Sequence, residues 1–330
     1  MFSARLSSRI RQSLTILIVS GLTGACLESG DDRHAARSNS PTSFDTVFRV
    51  GSPEDSSLAQ PRILAGSDAQ IVLYDSYNTS VQAYDTKGNR LWAVGRQGGG
   101  PGEFRNVIDI GIAPDSTIWI LDGGAGHIVR LDPATGEQID LPLRLGDAQL
   151  RVLPLRSGTV ALRLAADHFG GVLDTGGNMV ATIPFPDSAL ALVDPFLRQP
   201  LAAAYRNSDS WAAIFPRGNV FALYDGASTR CMGRLPDAAP FPTELSPEGP
   251  PRATAIGVAL LDGVVVILRQ SKVPGGSSEL DWYDANSCEF VRSEVLDGRH
   301  VALASMGDML VLVREELHPE LIGVRVRRAQ

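Results

Sequence analysis

The sequence has little lysine, a deficit of positive charge and no later apolar run that approaches the length of a transmembrane helix. Of its 330 residues only Lys87 and Lys272 are lysines, and 37 acidic against 30 basic residues give a net charge of −7. Removing residues 1–25, which carry three arginines and no acidic residue, leaves −10. Because contact with phosphates needs clustered positive charge, this balance argues against nucleic acid as a partner.

The longest apolar stretch, residues 14–25, is shorter than the about 20 residues that span a bilayer. It follows a basic segment and ends in small residues before Cys26, which predicts a signal peptide over residues 1–25 and therefore an exported protein of the bacterial cell envelope. The polar residues 26–43 lack periodicity and predict a flexible tether.

The end of this segment, Thr23-Gly24-Ala25-Cys26, resembles a bacterial lipobox. The resemblance implies that Cys26 is acylated and anchors the protein to the membrane, although Thr23 stands where the pattern prefers leucine. The alternative is ordinary cleavage after Ala25, which leaves Cys26 free and the protein secreted or periplasmic.

Residues 44–330 form the predicted folded domain. The 33 glycines and 21 prolines lie between short apolar runs, which indicates many tight turns and an all-β fold. Two segments repeat without a gap: Asp75 and Asp85 follow apolar strands, and Asp122 and Asp132 follow matching strands 47 residues later. A period of this length is typical of the four-stranded blades of a β-propeller.

Apolar strands separated by turn residues continue to residue 327, and the span from Thr46 to that residue divides into six such periods. We therefore predict a six-bladed β-propeller of four-stranded antiparallel blades. One strand, residues 46–50, is left over at the front, and the last unit stops after three strands. The N-terminal strand is predicted to complete the last blade and close the ring. The stretch 184–210 exceeds the period and predicts an insertion.

A family resemblance appears at residues 95–104, which read Gly-Arg-Gln-Gly-Gly-Gly-Pro-Gly-Glu-Phe. Together with the strand Ile118–Asp122 this run resembles the NHL-type repeat. The chain is similar to bacterial six-bladed β-propeller lipoproteins, whose biochemical role is generally unassigned. The resemblance implies fold and export rather than an activity. A phosphate-binding loop would feed a helix, whereas this run leads into an apolar strand, so a blade junction is the favoured interpretation.

Charged residues gather at the predicted ends of second strands. Asp75 and Asp122 stand there in the first two units, and Arg163, Arg269 and Arg314 stand there in later ones. Both the turn-forming and the ligand-binding roles are open for the two aspartates, with turn formation favoured. The arginines predict a face that binds an anionic ligand or a protein of the envelope.

No Gly-x-Ser-x-Gly elbow or Cys-His signature indicates a nucleophilic hydrolase. The enzymatic alternative is a metal-dependent lactonase- or lyase-like propeller that uses zinc or calcium, with His127 and His168 as candidate ligands. The favoured function is non-catalytic binding without a cofactor.

Two further cysteines, Cys231 and Cys288, are predicted near the outer strands of adjacent blades. In an oxidising compartment they either form a disulfide or stay as two separately buried thiols.

Overall fold

The computed structural model describes part of the chain. The described residues are 44–54, 57–140, 143–144, 151–163, 167–174, 177–188, 190, 198–205, 208–236, 254–270 and 276–327. The predicted signal peptide, the tether and Cys26 lie outside these residues. Among the described residues, no helix is long and apolar enough to span a membrane.

The described strands form six sheets of four antiparallel strands, one sheet for each blade of a β-propeller. The first strand in the chain is β1 (Phe44–Val50). Blade 1 contains β2 (Pro61–Gly66), β3 (Gln70–Asp75), β4 (Ser80–Asp85) and β5 (Arg90–Val94). Blade 2 contains β6 (Val107–Ile112), β7 (Ile118–Asp122), β8 (His127–Leu131) and β9 (Leu143–Arg144).

The remaining blades repeat this meander. Blade 3 contains β10 (Arg151–Pro154), β11 (Thr159–Leu162), β12 (His168–Leu173) and β13 (Met179–Pro184). Blade 4 contains β14 (Leu201–Ala204), β15 (Ser210–Phe215), β16 (Val220–Asp225) and β17 (Ser228–Arg234). Blade 5 contains β18 (Ala255–Leu261), β19 (Val264–Gln270), β20 (Ser278–Asp284) and β21 (Phe290–Val295). Blade 6 contains β22 (His300–Met306), β23 (Met309–Glu315) and β24 (Pro319–Val326).

Strand β1 is the fourth strand of blade 6. It pairs antiparallel with β24 from Phe44 opposite Val326 to Val50 opposite Leu321. The predicted closure of the ring by an N-terminal strand is therefore confirmed. Closure joins the two ends of the chain in one sheet, so the outer edge of β24 is paired rather than exposed.

The core lies between neighbouring blades, where the apolar faces of adjacent sheets pack together. Between blades 3 and 4, Trp211 stacks on Tyr224 with ring centroids 4.3 Å apart, and Phe169 lies against both rings. Central strands such as β3 are buried on both faces, which explains why their sequences are continuously apolar rather than alternating.

The glycine-rich run joins blades 1 and 2, as the sequence predicted. Phe104 is fully buried in the core between these blades. The Glu103 carboxylate accepts the N–H groups of Gly99 and Gly100 at 2.9 and 2.8 Å, and Arg96 donates to its other oxygen. These bonds lower the pKa of Glu103. The loop amides that a phosphate would need are thus occupied by a carboxylate of the same loop.

A disulfide joins Cys231 on β17 to Cys288, which precedes β21, with Cα atoms 5.8 Å apart. It links the outer parts of blades 4 and 5. Between blades 3 and 4 the connection runs over residues 185–200, and its described part contributes buried Phe185, Leu190 and Arg198.

Candidate binding site at the central channel

The propeller has two faces that differ in the parts of the blades they carry. We call the face where the second strands end, at Asp75, Asp122 and Glu315, the mouth face. The turns between first and second strands lie on the opposite face, which we call the turn face. Neighbouring turns meet there, since Gly307 donates its N–H to the Ser67 carbonyl and Ser157 donates to Asp209.

The first strands of all six blades surround a central cavity of about 230 Å³. Most of its lining is aliphatic or small, including Ala202, Ala203, Ala204, Gly257 and Ala304. These small residues leave the axis open because their side chains do not reach across it. The charged residues among the described lining are Arg62, Asp109 and Arg151, which come from blades 1, 2 and 3.

Asp109 and Arg151 form an ion pair between the first strands of blades 2 and 3. Arg151 Nη1 lies 3.0 Å from Asp109 Oδ1 and donates also to the Ile108 carbonyl. The second oxygen of Asp109 accepts the Val152 N–H at 2.7 Å. Burial raises the pKa of Asp109, while Arg151 and the Val152 amide oppose this shift. Both carboxylate oxygens are engaged, whereas within the described residues the Nε and Nη2 donors of Arg151 have no partner.

Arg62 stands at the start of the first strand of blade 1, towards the mouth face. The pairing of β2 with β3 skips from Pro61 to Ile63, so Arg62 is the extra residue of a β-bulge. Such a bulge redirects a side chain out of the alternation of the strand. Arg62 Nη1 lies 3.2 Å from Glu315, and Arg299 approaches the same carboxylate at 3.7 Å. Two guanidinium groups therefore share one carboxylate beside the channel.

The three arginines predicted from the second strands do reach the mouth face, but their side chains interact within their own blades. Arg269 is almost fully buried and pairs with Glu279 and Asp281, which raises its pKa. Its role is to neutralise carboxylates inside blade 5 rather than to face solvent.

The other two arginines are also engaged. Arg314 donates to Glu320 at 2.5 Å, and Arg163 Nη2 lies 3.2 Å from the His168 ring. Each of the three arginines thus has a partner side chain in its own blade. None of them is among the described residues that line the central cavity.

Asp75 and Asp122 are buried and act as turn formers. Asp75 accepts N–H groups from Ala59 and Gln60 on one side and from Tyr77 and Asn78 on the other. Asp122 makes the equivalent contacts in blade 2. Each carboxylate ties the preceding blade junction to the turn after the second strand.

The candidate metal ligands His127 and His168 are the first residues of β8 and β12 in different blades. His168 Nδ1 lies 2.7 Å from Asp167, an exposed carboxylate. Within the described ranges, no three His, Cys, Asp or Glu side chains form a group that could hold a metal ion.

Sequence reasoning missed Arg62, Asp109 and Arg151 because it compared second strands. The three residues do not share one position of the repeat: Arg62 is the bulge residue of β2, whereas Asp109 pairs opposite Leu121 and Arg151 opposite Leu162. The repeat therefore carried no signal for this site.

The fold and the channel define the class of protein as a six-bladed β-propeller. Residues 51–150 match the model of the DUF5128 family, which is described as a 6-bladed beta-propeller. This agrees with the resemblance to bacterial six-bladed propellers seen in the sequence. Among curated proteins, no sequence matches the chain significantly.

Solved structures are similar over nearly the whole chain. A predicted exported protein from Bacteroides fragilis NCTC 9343 is 11% identical with a TM-score of 0.64, covering 88% of this chain and 97% of that one. A member of the DUF4221 family from Bacteroides vulgatus ATCC 8482 is 8% identical with a TM-score of 0.57, covering 87% and 99%. Identities this low establish a shared fold.

Proposed function

We propose that this protein is a non-catalytic binding propeller of the bacterial cell envelope and that its ligand enters the central channel from the mouth face. The observation that carries the proposal is the cavity of about 230 Å³ at the meeting point of six first strands. Small molecules usually bind in concave sites where a few polar groups converge, and here the charged side chains of three blades do so. The volume of the cavity is below the about 300 Å³ at which typical ligand pockets begin, which favours a small ligand.

The hydrogen bonds of Asp109, the carboxylate in the cavity, favour binding over catalysis. Asp109 is held by Arg151 and by the Val152 amide, so it is not placed to exchange a proton with a ligand. The alternative metal-dependent lactonase- or lyase-like enzyme would need several convergent ligands for zinc or calcium.

The location in the envelope is supported by the signal-peptide pattern of residues 1–25, and anchoring by the lipobox-like Cys26. The chain enters the propeller at Phe44, which pairs with Val326 at the turn face.

The test compares small molecules that stay bound to wild type and to Ala203→Phe, which adds a phenyl group at a residue that lines the channel and also packs against the core between blades 4 and 5. A circular dichroism melt first verifies that the variant is folded. Each purified protein is equilibrated with envelope extract, washed and denatured, and the released compounds are identified by mass spectrometry. We expect at least one compound with wild type that the variant does not retain. Identical compounds from both proteins would contradict channel binding.

Elemental analysis of the same preparations tests the alternative. Stoichiometric zinc or calcium that is lost in His127→Ala or His168→Ala would favour the metalloenzyme.

A further inference from the structure

We infer that the channel binds a small aliphatic carboxylate, with its charged group between Arg62 and Arg151 and its carbon chain along the aliphatic wall. This inference rests on the proposed function of the channel and names the class of its ligand.

The donors and acceptors in the cavity are unequal. Asp109 is the carboxylate among the described lining residues, and both of its oxygens already accept bonds. Arg151 uses Nη1 for its two bonds, and within the described part of the chain its Nε and Nη2 have no partner. Among the described lining side chains, a ligand therefore meets unused N–H donors of Arg151 and no free carboxylate. Planar guanidinium groups bind carboxylates with paired hydrogen bonds.

The lining arginines and their ion-pair partners carry more positive than negative charge. Arg62 and Arg299 share Glu315, and Arg151 pairs with Asp109, so three guanidinium groups face two carboxylates. Arg62 keeps 39% of its side chain exposed and can turn towards a ligand.

The turn face has the opposite character. Aspartates stand in the first-to-second turns of five blades, at Asp68, Asp115, Asp209, Asp262 and Asp308. One of them, Asp308, pairs with Arg325, and blade 3 carries Arg156 in the same turn, which reduces the negative charge at this face. The lining arginines Arg62 and Arg151 therefore give the channel the charge that attracts an anion. The walls between the two faces carry small and aliphatic side chains beside the backbone of the first strands, and no further described charge.

The experiment uses hexanoate, hexanamide and 1-hexanol as matched probes in isothermal titration calorimetry with the folded propeller. Hexanoate is expected to bind at least about tenfold more tightly than either neutral probe, because a charge-assisted hydrogen bond is lost without the carboxylate. Its affinity should fall as ionic strength rises.

Two arginine variants locate the charge. Arg62→Gln is expected to weaken hexanoate binding at least about tenfold, whereas Arg90→Gln, on the exposed outer strand of the same blade, leaves it unchanged. Arg62→Gln is preferred to a change at Arg151, which would leave buried Asp109 without its partner. Circular dichroism melts verify that each variant is folded. Unchanged hexanoate affinity in folded Arg62→Gln would overturn the inference.

Ala203→Phe distinguishes an error in the ligand class from an error in the proposed function. One outcome is that wild type binds all three probes with equal affinity while Ala203→Phe binds none of them. In that case the channel binds ligands, but the assignment to carboxylates is wrong. If no probe and no extract component binds in a way that Ala203→Phe prevents, the proposed function fails as well.

Discussion

Loss of the closing strand is expected to destabilise the whole ring. Phe48 on β1 is 6% exposed and packs in the core between blades 6 and 1, against Leu58, Ile71 and Leu321. Truncation of such a phenylalanine to alanine costs about 3–5 kcal/mol. For a domain of this size, that corresponds to a fall of about 6–20 °C in melting temperature for Phe48→Ala.

Deletion of residues 1–50 should lower the melting temperature further, because it also removes the pairing with β24 and exposes that edge. A chain that starts at residue 41 keeps β1 and should melt like the mature protein. Val47→Ala is the matched point control, since Val47 is 37% exposed on the same strand. The measurement is thermal unfolding followed by circular dichroism at one protein concentration.

A second pair of variants tests the contact itself. A Cβ atom added at Gly323 would lie 2.2 Å from the Phe48 ring, so Gly323→Ala should destabilise wild type. It should cost less in the Phe48→Ala background, where the ring is absent. Equal melting temperatures for the chains that start at residues 41 and 51, or additive effects of the two substitutions, would refute this account of closure.

Four other predictions concern separate parts of the chain. Intact Cys26 should carry the protein into the detergent phase, and Cys26→Ser should release it or block processing; the same soluble mature form in both cases would mean cleavage without lipidation. Replacing Cys231 and Cys288 by serine should cost up to about 4 kcal/mol in chemical denaturation, since the bridge closes a loop of 57 residues; unchanged stability would contradict this role. Burial lowers the pKa of His300 from 6.5 to about 4, so below pH 6.5 the unfolded chain binds a proton that the folded protein does not. The free energy of unfolding should therefore fall by about 3 kcal/mol between pH 6.5 and pH 4. This decrease should be smaller in His300→Gln, and parallel pH profiles of the two proteins would disprove it. Asp122→Ala leaves several backbone N–H groups unbonded and should lower the unfolding free energy by at least about 2 kcal/mol in urea titration, with a loss under about 0.5 kcal/mol counting against the turn-forming role.

The sequence predicted the scaffold because the relevant signals are local. A strand that is buried on both faces must be apolar throughout, and Asp75 and Asp122 recur because each turn has the same backbone N–H groups to satisfy. Counting the strands also identified β1 as the closing strand, since a three-stranded last blade leaves an edge that needs a partner.

The channel site was decided by the tertiary structure alone. Arg62, Asp109 and Arg151 lie in three different blades, and only closure of the ring brings their first strands around one axis. Contacts between strands also decided the roles of residues that the sequence did identify. Arg269 is an internal partner of Asp281, and Cys231 and Cys288 lie close enough to form a disulfide. Residue type and spacing determine which elements form, whereas the charge available to a ligand depends on neighbours that are distant in the chain.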